Sequence, residues 1–351
     1  MLAAIFLLLA IGFLALYSLS FNGADLDLTN FKKQLASSII GLTALFFLAF
    51  YDYRAFNGNS TKLYFGVLIL LLLVMLWGKT IRGTTGWIGV GSFHIQPVEL
   101  AKLILIIFLA SFITKKRSRL SIVARIITSI VLTFIPVFLI LKQPDFGSAV
   151  IIVGVWAIML LVSGINKKSI AVLSLIGIIS AFSGWFILKD YQKERLVNFI
   201  NPYEDPRGSG YNVIQSIVAV GSGGMFGKGL GHGSQSQLNF LPERHTDFIF
   251  AVIAEELGFL GAGVVFSLFG IIFWRMKRIA LSAKDNFGYL LSIGIVVMLF
   301  LQVLINSGMN IGVMPVTGVP LPFLSYGGSS LVIVLASVGI MQSIYLRRIN
   351  H

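Results

Sequence analysis

A chain of 351 residues with 56% hydrophobic and only 12% charged side chains cannot have water as its main solvent, because soluble domains carry roughly 25% charged residues. Having no cysteine excludes disulfides, thiolate-held zinc and cysteine nucleophiles. The formal net charge of +13 would suggest nucleic acid for a soluble protein. In a membrane protein it is what Lys- and Arg-rich cytoplasmic loops produce, and no nucleic-acid partner is expected.

Mean hydropathy is +0.90, and at about 20 residues per span the chain has room for about ten helices and no soluble domain of ordinary size. Charge-poor runs bounded by polar or Gly/Pro clusters predict helices at roughly 2–20, 34–51, 62–78, 98–114, 124–141, 147–163, 169–188, 247–273, 288–308 and 324–346. The first run lacks a basic leader and a small-x-small cleavage site, so it reads as a span. Pro97 suits the first turn of the fourth helix, and Pro136 is expected to kink the fifth. With both termini in the cytoplasm, the inside segments collect most of the cations, among them Arg54, Lys62, the run Lys115 to Arg119, Arg275, Lys277, Arg278, Arg347 and Arg348. The expected fold is one all-α polytopic membrane domain over 1–351.

Two segments break the helix and short-loop pattern. Residues 189–246, between helices 7 and 8, form a long outside loop that is polar, aromatic and Gly-rich, and long loops are usually functional. The stretch 286–346 carries no charge, and inside it Gly308-Met-Asn-Ile-Gly312 and Pro315-Val-Thr-Gly-Val-Pro-Leu-Pro322 do not suit a regular helix. Irregular backbone at membrane depth survives only against protein or a water-filled cavity. A re-entrant-looking loop at 308–323 is therefore expected to line an internal site.

With 14 acidic residues in the chain, each one near a span is informative. Glu99 and Lys102 stand three apart on the fourth helix, as a neutralised pair or as a polar patch facing a cavity. Asp145 opens the sixth helix, where a capping role competes with a functional one. Glu255 and Glu256 point about 100° apart, so at least one faces the interior. The densest cluster, Phe240-Leu-Pro-Glu-Arg-His-Thr-Asp-Phe-Ile-Phe250, sets Glu243, Arg244, His245 and Asp247 at the outer surface. A zinc role for His245 has no second ligand at suitable spacing. The glycine run Gly221-Ser-Gly-Gly-Met-Phe-Gly-Lys-Gly-Leu-Gly-His-Gly233 matches neither nucleotide-loop pattern and follows no strand, which excludes a nucleotide reading.

Those two segments, with Gln96-Pro-Val-Glu-Leu-Ala-Lys102, Gln143-Pro-Asp-Phe-Gly147, Glu194-Arg195, Asn201-Pro202, Gly210-Tyr-Asn-Val-Ile-Gln-Ser216 and Pro320-Leu-Pro-Phe-Leu-Ser-Tyr-Gly-Gly-Ser-Ser330, resemble the signature of the shape, elongation, division and sporulation family over nearly the whole chain. Arg244 in its Pro-Glu-Arg-His-Thr-Asp setting resembles the RodA branch. Val98 departs from the serine frequent in that motif.

The resemblance implies a bacterial cytoplasmic-membrane glycosyltransferase that polymerises lipid II, with its active site on the extracytoplasmic side; lipid II flipping is the alternative. It makes Asp247 the catalytic carboxylate. It places Trp87, Glu99, Lys102, Lys142, Asp145, Arg195, Arg207, Gln215, Ser216, Gln235, Arg244, His245, Thr246, Ser325 and Gly327 at the substrate. A class B penicillin-binding protein, the transpeptidase this chain lacks, is the implied partner. Charge on the leaving pyrophosphate would fall to Lys142, Arg195, Arg207, Lys228 and Arg244, with a divalent cation (Mg or Mn) as a further means.

Overall fold

The computed structural model describes the chain except residues 23–24, 82–83, 91–92, 117–120, 165–192, 194–196, 198, 203–204, 206–209 and 349–351. The predicted seventh helix, 169–188, lies outside the described residues. The others are present as α1 (Leu2–Ser18), α2 (Thr29–Phe50), α3 (Arg54–Trp77), α4 (Pro97–Lys116), α5 (Ile122–Lys142), α6 (Phe146–Val162), α9 (Ile249–Leu281), α10 (Asn286–Asn310) and α11 (Gly328–Leu346). Among the described residues between α6 and α9 stand two shorter helices, α7 (Tyr211–Ser222) and α8 (Ser234–Gln237), so the described part of the long loop has helical structure of its own. Seven of these helices are long and apolar enough to cross a membrane, and α1 and α6, at 17 residues, are shorter apolar helices. Pro97 is the first residue of α4, and α5 runs on through Pro136.

Helix α4 lies at the centre and is buried on nearly every side, as an all-round apolar sequence requires. Peripheral helices instead leave Phe46, Phe47, Phe50, Leu76 and Trp77 exposed, a surface suited to lipid. Small residues set the closest helix approach. A Cβ on Gly339 of α11 would meet the Leu45 carbonyl oxygen of α2 at 2.5 Å, so only glycine lets these backbones touch.

Three expectations are corrected. The protein is mostly helical rather than all-α. Strands β1 (Phe21–Asn22) and β2 (Asp25–Leu26) pair antiparallel, as do β3 (Lys79–Ile81), β4 (Thr84–Val90) and β5 (Phe93–Ile95), with Lys79 opposite Trp87 and Gly89 opposite His94. Ile, Thr, Trp and Val in these short runs fit pleated structure better than helix. Secondly, α10 stays helical through Gly308, Met309 and Asn310, so the irregular segment begins only at Ile311.

The third correction concerns the eighth predicted helix. It runs on to Leu281 and is broken at Gly258, whose φ of 67° no helix contains. The break leaves orphan carbonyls on one side and orphan N–H groups on the other. Part of the glycine run fills them: Lys228 N and Gly229 N donate to the carbonyls of Glu255 and Glu256, both at 3.0 Å. Phe259 N and Leu260 N donate to Gly224 O at 2.8 Å and Met225 O at 3.1 Å. A Cβ on Gly258 would sit 2.3 Å from Gly227 N.

Candidate active site

Beyond the glycine plug, α8 packs against the broken end of α9 through buried polar groups. Glu255 accepts from Lys228 Nζ at 2.8 Å, Gln235 N at 2.9 Å and Ser236 N at 3.0 Å. Glu256 accepts from Ser18 Oγ at 2.6 Å and Gln237 Nε2 at 3.1 Å, tying this unit to the end of α1. Both glutamates are buried. Arg244 is buried too, and its Nη1 donates to the carbonyls of Ser236 and Gln237. Burial lowers its pKa from the ordinary arginine value, and the charge of Glu256 opposes that shift. Lys228 and Arg244 thus act within the loop that carries the Asp247 segment.

That segment is held by its backbone. His245 O accepts from Tyr326 N at 2.8 Å, and Thr246 O from Ser325 Oγ at 2.6 Å. Asp247 O accepts from Asn306 Nδ2 at 2.9 Å and Asn310 Nδ2 at 3.0 Å. Asn306 Nδ2 also reaches Val319 O at 2.8 Å, so one amide clamps the irregular loop and the Asp247 segment together. Gln34 of α2 completes the frame, donating to Ser325 O at 3.0 Å and accepting from Gly327 N at 3.2 Å. With its backbone so fixed, Asp247 stands half-buried just before α9.

Its side chain borders a cleft of about 120 Å³ lined by Thr84, Trp87, Gln96, Pro144, Asp145, Thr246, Thr317, Gly318, Pro320, Tyr326, Gly327, Ser329 and Ser330. Trp87 comes from β4 and donates its indole N–H to Thr84 Oγ1 at 3.0 Å. Asp145 caps α6 through Ser148 N at 2.9 Å and accepts from Gln96 Nε2 at 3.3 Å. Burial pushes its carboxyl above the usual range, against the Ser148 bond and the charge of Lys102. Thr317 Oγ1 is buried with no hydrogen-bond partner among the described residues and belongs to a residue on the cleft wall.

Of the residues singled out in the sequence, Trp87, Asp145, Thr246, Asp247 and Gly327 line this cleft, while Ser325 and His245 brace it from behind. Glu99 and Lys102 form a buried ion pair at 2.7 Å inside α4, next to a void of only about 10 Å³. Lys142 is exposed and lies 5.3 Å from the Phe138 ring centroid. Ser216 is buried and donates to Asn310 O at 2.8 Å; Gln215 is half-buried on α7. The backbone N–H of Gln235 is taken by Glu255. Arg195 and Arg207 lie outside the described residues. No group of three or more metal-ligating His, Cys, Asp or Glu exists among the described residues.

Sequence reasoning missed Asn306, Asn310, Gln34 and Thr317. For Asn306, Asn310 and Thr317 the only signal was a polar side chain within an apolar or proline-rich run, which is also how an ordinary helix-packing amide looks, and Gln34 merely follows Lys32 and Lys33.

The fold and cleft define a class: a multi-pass membrane protein with a carboxylate-bearing cleft at one end of its helical bundle. The FtsW/RodA/SpoVE cell cycle protein model matches residues 1–349, and the chain belongs to that family. Stage V sporulation protein E of Bacillus subtilis is 41% identical over 345 residues, covering 96% of this chain and 94% of the relative. Peptidoglycan glycosyltransferase MrdB of Escherichia coli is 38% identical over 335 residues, covering 95% and 90%. A chain from a structure on the coordination of polymerization and crosslinking by a peptidoglycan synthase complex superposes with a TM-score of 0.83 at 34% identity, covering 100% of this chain and 99% of that one. The Thermus thermophilus rod shape determining protein RodA gives 0.74 at 30% identity, covering 100% and 97%.

Proposed function

We propose that this chain is a peptidoglycan glycosyltransferase that polymerises lipid II, in the manner its named relatives imply, and that it serves cell elongation. The supporting observation is the half-buried Asp247 carboxylate, bordering a cleft that also carries Trp87, Asp145 and the Thr317 hydroxyl, unpartnered among the described residues.

The C4 hydroxyl of the acceptor sugar is a weak nucleophile. As its oxygen bonds to the donor's anomeric carbon, Asp247 takes the hydroxyl proton. The bond from that carbon to the pyrophosphate breaks at the same time, and undecaprenyl pyrophosphate leaves with the electron pair. One direct displacement turns an α-linked donor into a β-linked product. The leaving group is already a good anion and needs charge neutralisation rather than a proton. Because Arg244 and Lys228 are engaged within their own loop, this role falls to Arg195, Arg207, Lys142 and a divalent cation. A magnesium-type ion takes one or two carboxylates together with substrate phosphates, and Asp145 on the cleft wall suits such an ion. When bound it would supply positive charge beside the diphosphate.

In this reading ten spans cross the bacterial cytoplasmic membrane with both termini inside, and the Asp247 cleft faces outward. The reacting sugars then meet in the aqueous layer while their prenyl chains stay in lipid. A class B penicillin-binding protein is the partner, consistent with the synthase complex among the structural relatives. A lipid II flippase needs a polar path through the bundle, and the tight packing at Glu99 and Lys102 favours the polymerase.

The test is polymerisation of labelled lipid II by the purified chain with its transpeptidase. Asp247→Asn should lower strand synthesis by about 10²–10⁴-fold, the usual weight of a placed base, with the melting temperature unchanged. Strand synthesis retained by that variant would defeat the assignment.

A further inference from the structure

A second, larger cleft lies at the other end of the bundle. Helix α11 begins beside the Asp247 cleft and its 19 residues run to Leu346, a length of about 28 Å at 1.5 Å per residue. There the last turns of α9 and α11 and the first turn of α1 line a cleft of about 920 Å³. We propose that this cleft binds the phosphate headgroup of an anionic phospholipid through Arg275, Arg278 and Arg348.

The charge balance is the first argument. Among the described residues lining the cleft there are three arginines and no carboxylate. The same end of the bundle does hold acids, but other arginines use them: Asp285 pairs with Arg54 at 3.3 Å and Asp52 with Arg347 at 3.6 Å. A cluster of guanidinium groups inside one concavity, without a counter-charge in its lining, attracts an anion.

The second argument is orientation. Arg278 stacks on Trp274 at 4.4 Å and Arg348 on Tyr345 at 3.8 Å. Stacking occupies the guanidinium faces and leaves N–H edges for the bonds that phosphate oxygens accept, although Arg348 Nη1 already donates to Tyr345 O at 3.1 Å. Arg275 and Arg278, three apart, share one face of α9.

The third argument selects lipid over soluble phosphate. Leu2, Ala3, Ile279 and Leu281 form apolar wall beside the arginines. Leu281 and the neighbouring Trp274 are exposed, as aromatic and apolar side chains are at the edge of a bilayer. Basic pockets between helix ends are suited to anionic headgroups. The inference depends on the chain spanning a membrane and not on the reaction at Asp247.

The experiment uses the full chain in nanodiscs of phosphatidylcholine with and without phosphatidylglycerol, scored by retained lipid in native mass spectrometry. Phosphatidylglycerol should be retained selectively, and Arg275→Gln/Arg278→Gln should weaken retention about tenfold or more, because two guanidinium–phosphate contacts are lost. Lys62→Gln/Lys277→Gln removes the same charge from exposed positions outside the cleft and should weaken retention clearly less, because only diffuse, screened attraction is lost. Equal losses in both variants would mean diffuse attraction and overturn the site. So would equal retention of phosphatidylcholine, or displacement by inorganic phosphate as readily as by phosphatidylglycerol. If the glutamine variant fails to fold in pure phosphatidylcholine, Arg275→Lys/Arg278→Lys decides. A several-fold loss with charge preserved supports guanidinium recognition, and unchanged retention overturns it.

Discussion

The side-chain amide of Asn306 donates at 2.9 Å to the backbone carbonyl of Asp247 and at 2.8 Å to that of Val319. The candidate base and the irregular wall of its cleft are therefore fixed by one buried group on α10. Asn306→Ala takes the donor from the Val319 carbonyl, while Asp247 O keeps Asn310 Nδ2, so a loss of about 1–3 kcal/mol for one unsatisfied buried group is expected. We expect a lower melting temperature together with lower kcat in lipid II polymerisation. An intact kcat with only the melting temperature reduced would make Asn306 purely structural.

Asp145 separates charge from capping. Burial raises its carboxyl pKa in the folded state, so between the ordinary Asp value of about 3.9 and the raised one the folded protein holds a proton the unfolded chain has lost. Stability contributed by this group therefore falls as pH rises through that window. Asn caps a helix about as well as Asp. Asp145→Asn should flatten this pH dependence and keep or raise the melting temperature at neutral pH, while lowering polymerisation. Thermal melts from pH 4 to 8 would check the sign.

The break in α9 gives a backbone prediction. Gly258 has φ 67°, and its missing Cβ is replaced by close backbone from Gly227. Gly258→Ala adds strain of about 1–3 kcal/mol and a clash on top of it. Yield of folded protein and melting temperature should both drop, more than for alanine at Gly263, where a Cβ would meet nothing within 4 Å.

Glu255 gathers Lys228 Nζ and two backbone N–H groups of α8. Glu255→Gln cannot satisfy all of these donors, and a loss of about 1–3 kcal/mol is expected. Lys228 is 28% exposed and regains water, which keeps the effect below that of a fully buried pair. Limited proteolysis should cut faster between Gly221 and Phe240, and Lys228→Met in the same chain should partly offset the change.

Much of the site could be read along the chain. Trp87, Asp145, Thr246, Asp247 and Gly327 were singled out there and border one cleft, although more than 200 residues separate the first from the last. By its sequence the glycine run only excludes a nucleotide loop. Its Gly224 to Gly229 stretch closes the broken ends of α9, because a helix break inside a membrane protein must find backbone partners.

What the sequence determined by itself was the solvent and the long apolar helices. Long apolar runs force helices wherever lipid leaves no other partner for backbone amides, and the scarcity of charge isolates the few carboxylates worth attention. What only the tertiary structure decided was which polar groups answer each other. Asn306 with Asp247, Gln34 with Gly327 and Ser18 with Glu256 are separated by 59 to 293 positions. Hydrogen bonds at that separation leave no local periodicity, since their geometry exists only after the helices have packed.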